Sequence, residues 1–220
     1  MAMASGGGLS QRLGRRYLRL RGHDAGCLAI AGFEGGTGEV ARRRGRSAEA
    51  LCAGGGIYLG EGPGRAWLSS RYAGPYLRDS MLGRGVLAET LETAAEWSRL
   101  HAVHEAVGAA LRDTLGARGT PPIVMCHLSH LYRSGASLYF TVLARQERGA
   151  EIAQWEAAKA AASDAIMASG GTITHHHAVG RDHAPWMRQE VGEVGLELIR
   201  AAKERLDPRG VMNPGKLLPA

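Results

Sequence analysis

Nine histidines give this sequence most of its chemical potential, and their spacing is uneven. Three are consecutive, His175-His176-His177, between Gly170-Gly171 and Gly180; four others form the close pairs His101/His104 and His127/His130. Imidazole titrates near neutral pH, donates or accepts protons and ligates metals, so these residues could serve acid/base chemistry, an anion site or a metal site. In an extended segment His175 and His177 project to one side and His176 to the other, which gives a metal two ligands at most. Zinc needs a third, and His127 and His130, three apart, fall on opposite faces of a strand. No carboxylate stands at a recognised ligand spacing, so no metal is expected. Facing an anion is a looser demand that one or two of the rings can meet, and the remaining reading is of hydrogen-bonded structural histidines, the expected state of His101 and His104.

Tyr132 and Tyr139 flank a predicted hairpin. A tyrosine beside imidazole or guanidinium can act as a general acid or base when its pKa falls; otherwise it packs in the core with one satisfied hydroxyl. Gly36-Thr37-Gly38-Glu39-Val40-Ala41 matches a dinucleotide-binding pattern, with Glu61 downstream as a ribose ligand. That fold requires a second buried strand soon after, and AGGGIYLGEGPG over 53–64 is too rich in glycine to provide it. A tight strand-to-helix turn is the better reading. The arginine runs at 15–21 and 42–46 lack an aromatic stacking platform, so they read as solvated faces and no nucleic-acid partner is expected.

The elements that must position these residues follow from periodicity. The chain has 220 residues, 45% hydrophobic and 22% charged, proportions that exclude a disordered tail and a collagen-like fibre. Its net charge of +6, carried by arginine with only three lysines, favours anionic ligands without choosing among them. Three cysteines without C-x-x-C spacing indicate neither a disulfide framework nor a zinc ribbon. No basic leader or long apolar run is present, and a cytoplasmic protein is expected. Strands are predicted at 26–33, at Ile57–Leu59, at 86–93 with alternating sides, at 123–132 and 137–144 as a hairpin turning through Gly135, and at 172–177. Helices are predicted from Glu39, over Ser98–Leu115 with Ser98 as N-cap and Gly116 as stop, over 149–169, and from Pro185 to Leu206. The order predicts an α+β fold: an antiparallel sheet built from two split βαβ, ferredoxin-like units with helices on one face, plus a C-terminal helical segment.

Five segments carry a resemblance: RYAGPYLRD (71–79), GVLAETLETAAEW (85–97), CHLSHLYRSGASLYF (126–140), GGTITHHHAVG (170–180) and DPRGVMNPGKLLP (207–219). Together they resemble the C-terminal cap domain of FAD-linked oxidases of the vanillyl-alcohol oxidase superfamily. Within it they are most similar to the alkyldihydroxyacetonephosphate synthases, because hydroxy-acid-oxidising members carry a Gly-Glu-His-Gly type sequence at the histidine triple. The resemblance implies an FAD-dependent transferase that exchanges the acyl group of acyl-dihydroxyacetone phosphate for a fatty alcohol in ether lipid synthesis. The alternatives it leaves are the cap of an FAD-dependent D-lactate or glycolate type dehydrogenase and a non-catalytic anion-binding module. By matching motifs it implies Tyr139 as the acid/base, and Arg78, His175, His176 and His177 as substrate ligands. It implies that His177, Asn213 and Lys216 lie toward the flavin. It also implies a domain plan: residues 1–22 as a flexible or partial N-terminal segment, 23–220 as the cap, and a flavin-binding domain supplied elsewhere. A phosphorylated lipid precursor or a small hydroxy acid is the expected ligand, and the relatives make peripheral membrane contact and a homodimer further expectations. No terminal S-K-L address is present, so a peroxisomal setting is not expected.

Overall fold

Four helices precede the first strand in the computed structural model, which describes residues 9–23 and 26–219. They are α1 (Leu9–Leu20), α2 (Thr37–Ala53), α3 (Gly62–Ser70) and α4 (Gly74–Leu82). The sheet and its helices follow as β1 (Val86–Glu96), α5 (Trp97–Ala117), β2 (Ile123–Leu131), β3 (Gly135–Arg145), α6 (Glu151–Ser169), a 3-10 turn (Ala184–Trp186) and α7 (Met187–Leu206). The chain divides into two units, Met1–Gly74 and Pro75–Ala220.

In the second unit the three strands run antiparallel in the order β1-β3-β2, so the fold is α+β. Leu91 pairs with Phe140, and Phe140 with Cys126, which sets these residues on one face of the sheet. That face packs against α5 and α6. Leu100, Val103, Val107, Leu111 and Leu115 recur at three- and four-residue steps on α5 and join Leu91, Phe140, Ala158, Ala162 and Ile166 in one core. Gln154 is fully buried on α6, yet its amide nitrogen donates to Thr120 Oγ1 (2.8 Å) and the Arg145 carbonyl (2.9 Å), and its amide oxygen accepts from Glu147 N (3.0 Å). A buried amide paired on both ends costs little. Gly135 opens β3 where a Cβ would lie 2.0 Å from the Ala95 carbonyl oxygen, so only glycine fits at that close approach.

The predicted hairpin and the helices at 98–115, 149–169 and 185–206 form within a few residues of expectation. Glu96, rather than Ser98, stands at the N-cap of α5, and no side chain caps it. The sheet is smaller than two split units would build, because three predicted strands do not form. Leu28 and Ile30 are 58% and 42% exposed in extended chain without a partner strand among the described residues, and Ile57–Leu59 lies in a loop. Residues 172–177 touch the β1 edge through two backbone bonds, Thr172 N to Ala94 O (2.9 Å) and His175 N to Glu92 O (3.1 Å), before His176 turns away with φ 58°. The same segment explains why β1 does not alternate in burial: it covers Glu92 on the face that α5 and α6 leave free. Within the N-terminal segment Leu9–Leu20 is helical; residues 1–8 lie outside the described residues.

Candidate functional site

Pairing across the sheet puts Glu92, Tyr139 and His127 in one row, with Tyr139 central, on the face opposite the helices. His127 stacks on Tyr139 with ring centroids 5.0 Å apart. Next to this row β2 bulges between Ser129 and Leu131, with the extra residue His130 at φ 43°. Without the bulge His127 and His130 would point to opposite faces, as spacing alone predicts. With it His130 joins the same side, its ring 4.4 Å from His176 and 5.4 Å from His175.

The histidine triple is held from two directions. Glu190, near the start of α7, accepts from Thr172 Oγ1 and from Ile173 N (2.8 Å), while Thr93 Oγ1 donates to the Thr172 carbonyl (2.5 Å). Gly170 ends α6 at φ 83°, and Gly171 lies where a Cβ would come 2.9 Å from Thr93 Oγ1, so the two glycines let the chain leave α6 close against β1. The bond from His177 N to the His175 carbonyl (2.7 Å) closes a tight turn around His176. His175 and His177 thereby both aim at Glu92, in line with their expected common side: His175 Nδ1 is 3.1 Å and His177 Nε2 3.4 Å from its carboxylate oxygens. His130 Nε2 lies 3.9 Å away.

Glu92 is 6% exposed, and it is the residue that sequence reasoning missed. Burial alone would raise its pKa; hydrogen bonds from His175 and Ser137 and the charges of His177 and His175 outweigh burial and hold it below the usual carboxylate value. Three imidazoles thus surround one buried carboxylate on this face. Strand 86–93 carries no signal for this role by itself, because the partners come from β2, β3 and the 175–177 turn. The resemblance implies Tyr139 as the acid/base, yet the hydroxyl bonded to His175 Nε2, at 3.2 Å, is that of Tyr132. Tyr139 is half-buried, edge-on to His177 at 6.1 Å, and its hydroxyl makes no hydrogen bond among the described residues.

The remaining expected site residues lie apart from this cluster. Arg78 is exposed on α4, and no hydrogen bond or ion pair among the described residues joins it to the histidines. Asn213 and Lys216 are exposed in the C-terminal turn, where Asp207 accepts from Val211 N, Met212 N and Lys203 Nζ. That turn reaches the far end of the histidine segment through Leu217 N to Gly180 O (3.0 Å). Glu61 is paired with Arg44 (2.9 Å) and Arg65 (2.6 Å) at the surface, which leaves it bound to arginine in place of the ribose contact that the glycine pattern would need. Among the described residues, one grouping has three candidate metal-ligand atoms within 4.8 Å of one another: His101, His104 and Glu105, all exposed on α5.

Residues 9–217 match the family described as FAD linked oxidases, C-terminal domain, and the chain belongs to that family. Relatives within it narrow the comparison. The chain is 33% identical over 193 residues to an alkyldihydroxyacetonephosphate synthase of Dictyostelium discoideum and 34% identical over 193 residues to one of Trypanosoma brucei brucei, covering 88% of this chain in each case. A solved alkyldihydroxyacetonephosphate synthase structure superimposes with a TM-score of 0.59 at 25% identity, over 84% of this chain and 31% of that one. The chain spans about a third of the length of these relatives. The family is FAD-linked, and the donors on the open face fit one edge of such a cofactor. Imidazole N–H groups and the Tyr139 hydroxyl share one sheet face and are donors that the polar rim of a planar ring can accept.

Proposed function

We propose that this chain is the substrate-side domain of a flavin-dependent transferase of the alkyldihydroxyacetonephosphate synthase type. It exchanges the acyl group of acyl-dihydroxyacetone phosphate for a fatty alcohol. The observation that carries the reading is the cluster of His130, His175 and His177 around buried Glu92, beside Tyr139, on a sheet face left uncovered by helices. A phosphorylated ketone that loses a carboxylate brings two anions to the site, and imidazole N–H groups supply donors for them. His176 and His177 bind the phosphate, and His175, with both ring nitrogens engaged by Glu92 and Tyr132, holds the turn that carries them. Tyr139, its hydroxyl free of protein partners among the described residues, gives and takes the proton on the ketone's neighbouring carbon. Arg78 receives the departing carboxylate, reaching the site only when the assembled enzyme brings α4 to it. FAD, when bound, supplies an electron-accepting ring beside that carbon. His177, Asn213 and Lys216 face it, and its pyrophosphate is held by a separate flavin-binding domain. A cytoplasmic enzyme touching membranes peripherally, as a homodimer, suits a lipid substrate.

The test pairs the chain with a flavin-binding domain and follows incorporation of labelled fatty alcohol. Tyr139→Phe should lower exchange by about 10²–10⁴-fold with the fold unchanged. Reduction of an acceptor dye by a 2-hydroxy acid, with no exchange, would move the reading to the dehydrogenase type, and ligand binding without any turnover would reduce it to a binding module.

A further inference from the structure

Tyr132, His175 and Glu92 stand in line. The tyrosine hydroxyl is 3.2 Å from Nε2 and the carboxylate 3.1 Å from Nδ1 of the same ring. An ionised carboxylate only accepts, so His175 Nδ1 carries a proton and donates it to Glu92. In the neutral ring Nε2 is then an acceptor, and the phenol donates to it. Each joint is fixed from elsewhere: His175 by its backbone bond to Glu92 O and by the Glu190 clamp on Thr172-Ile173, Glu92 by strand pairing with Tyr139. The outer end is open, since Tyr132 is 47% exposed. A phenol at the open end of a proton path suits a substrate that must give up a hydroxyl proton, which in the transferase reading is the alcohol.

We propose that Tyr132, His175 and Glu92 form a proton relay that activates the incoming alcohol. The assignment rests on the transferase reading above and leaves the carbon proton to Tyr139. As the alcohol attacks, its O–H bond breaks and the proton passes to the Tyr132 oxygen, while the phenolic proton moves to His175 Nε2. The alcohol oxygen uses its electron pair to form the new C–O bond at the carbon from which the acyl carboxylate has left with its own pair. His175 becomes an imidazolium held by Glu92, and reversal of the relay returns the proton to solvent. Tyr132 is the residue that touches substrate; His175 and Glu92 act through it. His130, His176 and His177 from the flanking turns, Ser137 and Tyr139 from β3, and His127 beyond Tyr139 are the other groups around the relay.

Histidine-labelled chain tests the relay by nitrogen NMR without any cofactor. His175 should be the Nδ1–H tautomer at pH 8. Glu92→Gln should shift its Nδ1 resonance, and Tyr132→Phe should move only the Nε2 resonance. An Nε2–H tautomer, or an Nδ1 resonance indifferent to Glu92→Gln, overturns the relay. In the enzyme assembled with its flavin-binding domain, Tyr132→Phe should slow ether formation by roughly 100-fold while exchange of the substrate's carbon-bound deuterium with solvent continues. An alcohol made more acidic by fluorines next to its hydroxyl should recover part of the loss, which a structural role would not allow. Unchanged ether formation in Tyr132→Phe overturns the assignment to the alcohol. A wild type that shows the NMR pattern but neither deuterium exchange nor ether formation would instead overturn the transferase reading and with it the relay's assignment to the alcohol.

Discussion

The two units of this chain differ in what holds them together. Every buried side chain among the described residues belongs to the second unit, where α5, α6 and the sheet close one core. In the first unit α2 and α3 bury nothing, and Leu28, Leu51, Tyr58, Trp67 and Leu68 are all exposed. Helices of such length are marginal in water without an apolar face to bury, and surface ion pairs such as those of Glu61 add little. The sequence therefore encodes apolar side chains in the first unit that its described fold does not cover. The difference teaches that helix content and stability are separate properties here.

The comparison breaks or sharpens at single residues. Phe140→Ala, at the centre of the sheet with no exposed surface, should cost about 3–5 kcal/mol in urea unfolding. Trp67→Ala should stay within about 0.5 kcal/mol. Equal losses would show that the first unit has a core after all. A smaller effect, about 1–3 kcal/mol, is expected of Glu190→Ala, which strips the partners from Thr172 Oγ1 and Ile173 N. The same change should broaden the imidazole resonances of His175–His177 while leaving the α2 resonances untouched.

Acid should act on the second unit in two steps. His183 is buried, and burial, followed by the charge of Lys159, pushes its pKa below the ordinary value. The native state thus prefers the neutral ring, and stability falls as the pH drops below about 6.5, where the unfolded histidine takes up its proton. Glu92 has the opposite preference: its lowered pKa stabilises the fold above the unfolded value of about 4.3, and that contribution disappears as the pH falls through the folded value. In chemical unfolding followed against pH, His183→Gln should remove the upper step alone and Glu92→Gln the lower alone; a single step common to both variants would contradict these assignments. The smallest effect is on thiols. Burial pushes the Cys126 thiol up to about 12, while Cys27 and Cys52 are exposed. Alkylation at pH 8 should label two thiols quickly and the third slowly, and rapid labelling of all three would mean that the edge of the core opens readily.

Local patterns were the legible part of the sequence. The apolar steps of α5, the Gly-terminated α6 and the hairpin around Gly135 are written within single segments, and the structure follows them. The run GCLAIAGF is apolar enough for a strand, but a strand needs a partner, and none among the described residues lies beside it. The His175–His177 turn was legible as a cluster and as a pair facing one side. Its partner Glu92 was not, because the pairing depends on strand register, on the bulge at His130 and on the Glu190 clamp, none of which has a local signature.

The hydrogen bond from His175 to Glu92 joins residues 83 positions apart. Contacts of such separation close late in folding, because loop-closure entropy must be met before they form, whereas the β2–β3 hairpin can form from neighbouring residues. A nascent or partly folded chain therefore leaves its histidines in water, away from the Glu92 carboxylate. The ring held by Glu92 exists only after the last closure, which makes the Nδ1–H tautomer of His175 a readout of whether a given molecule has finished folding.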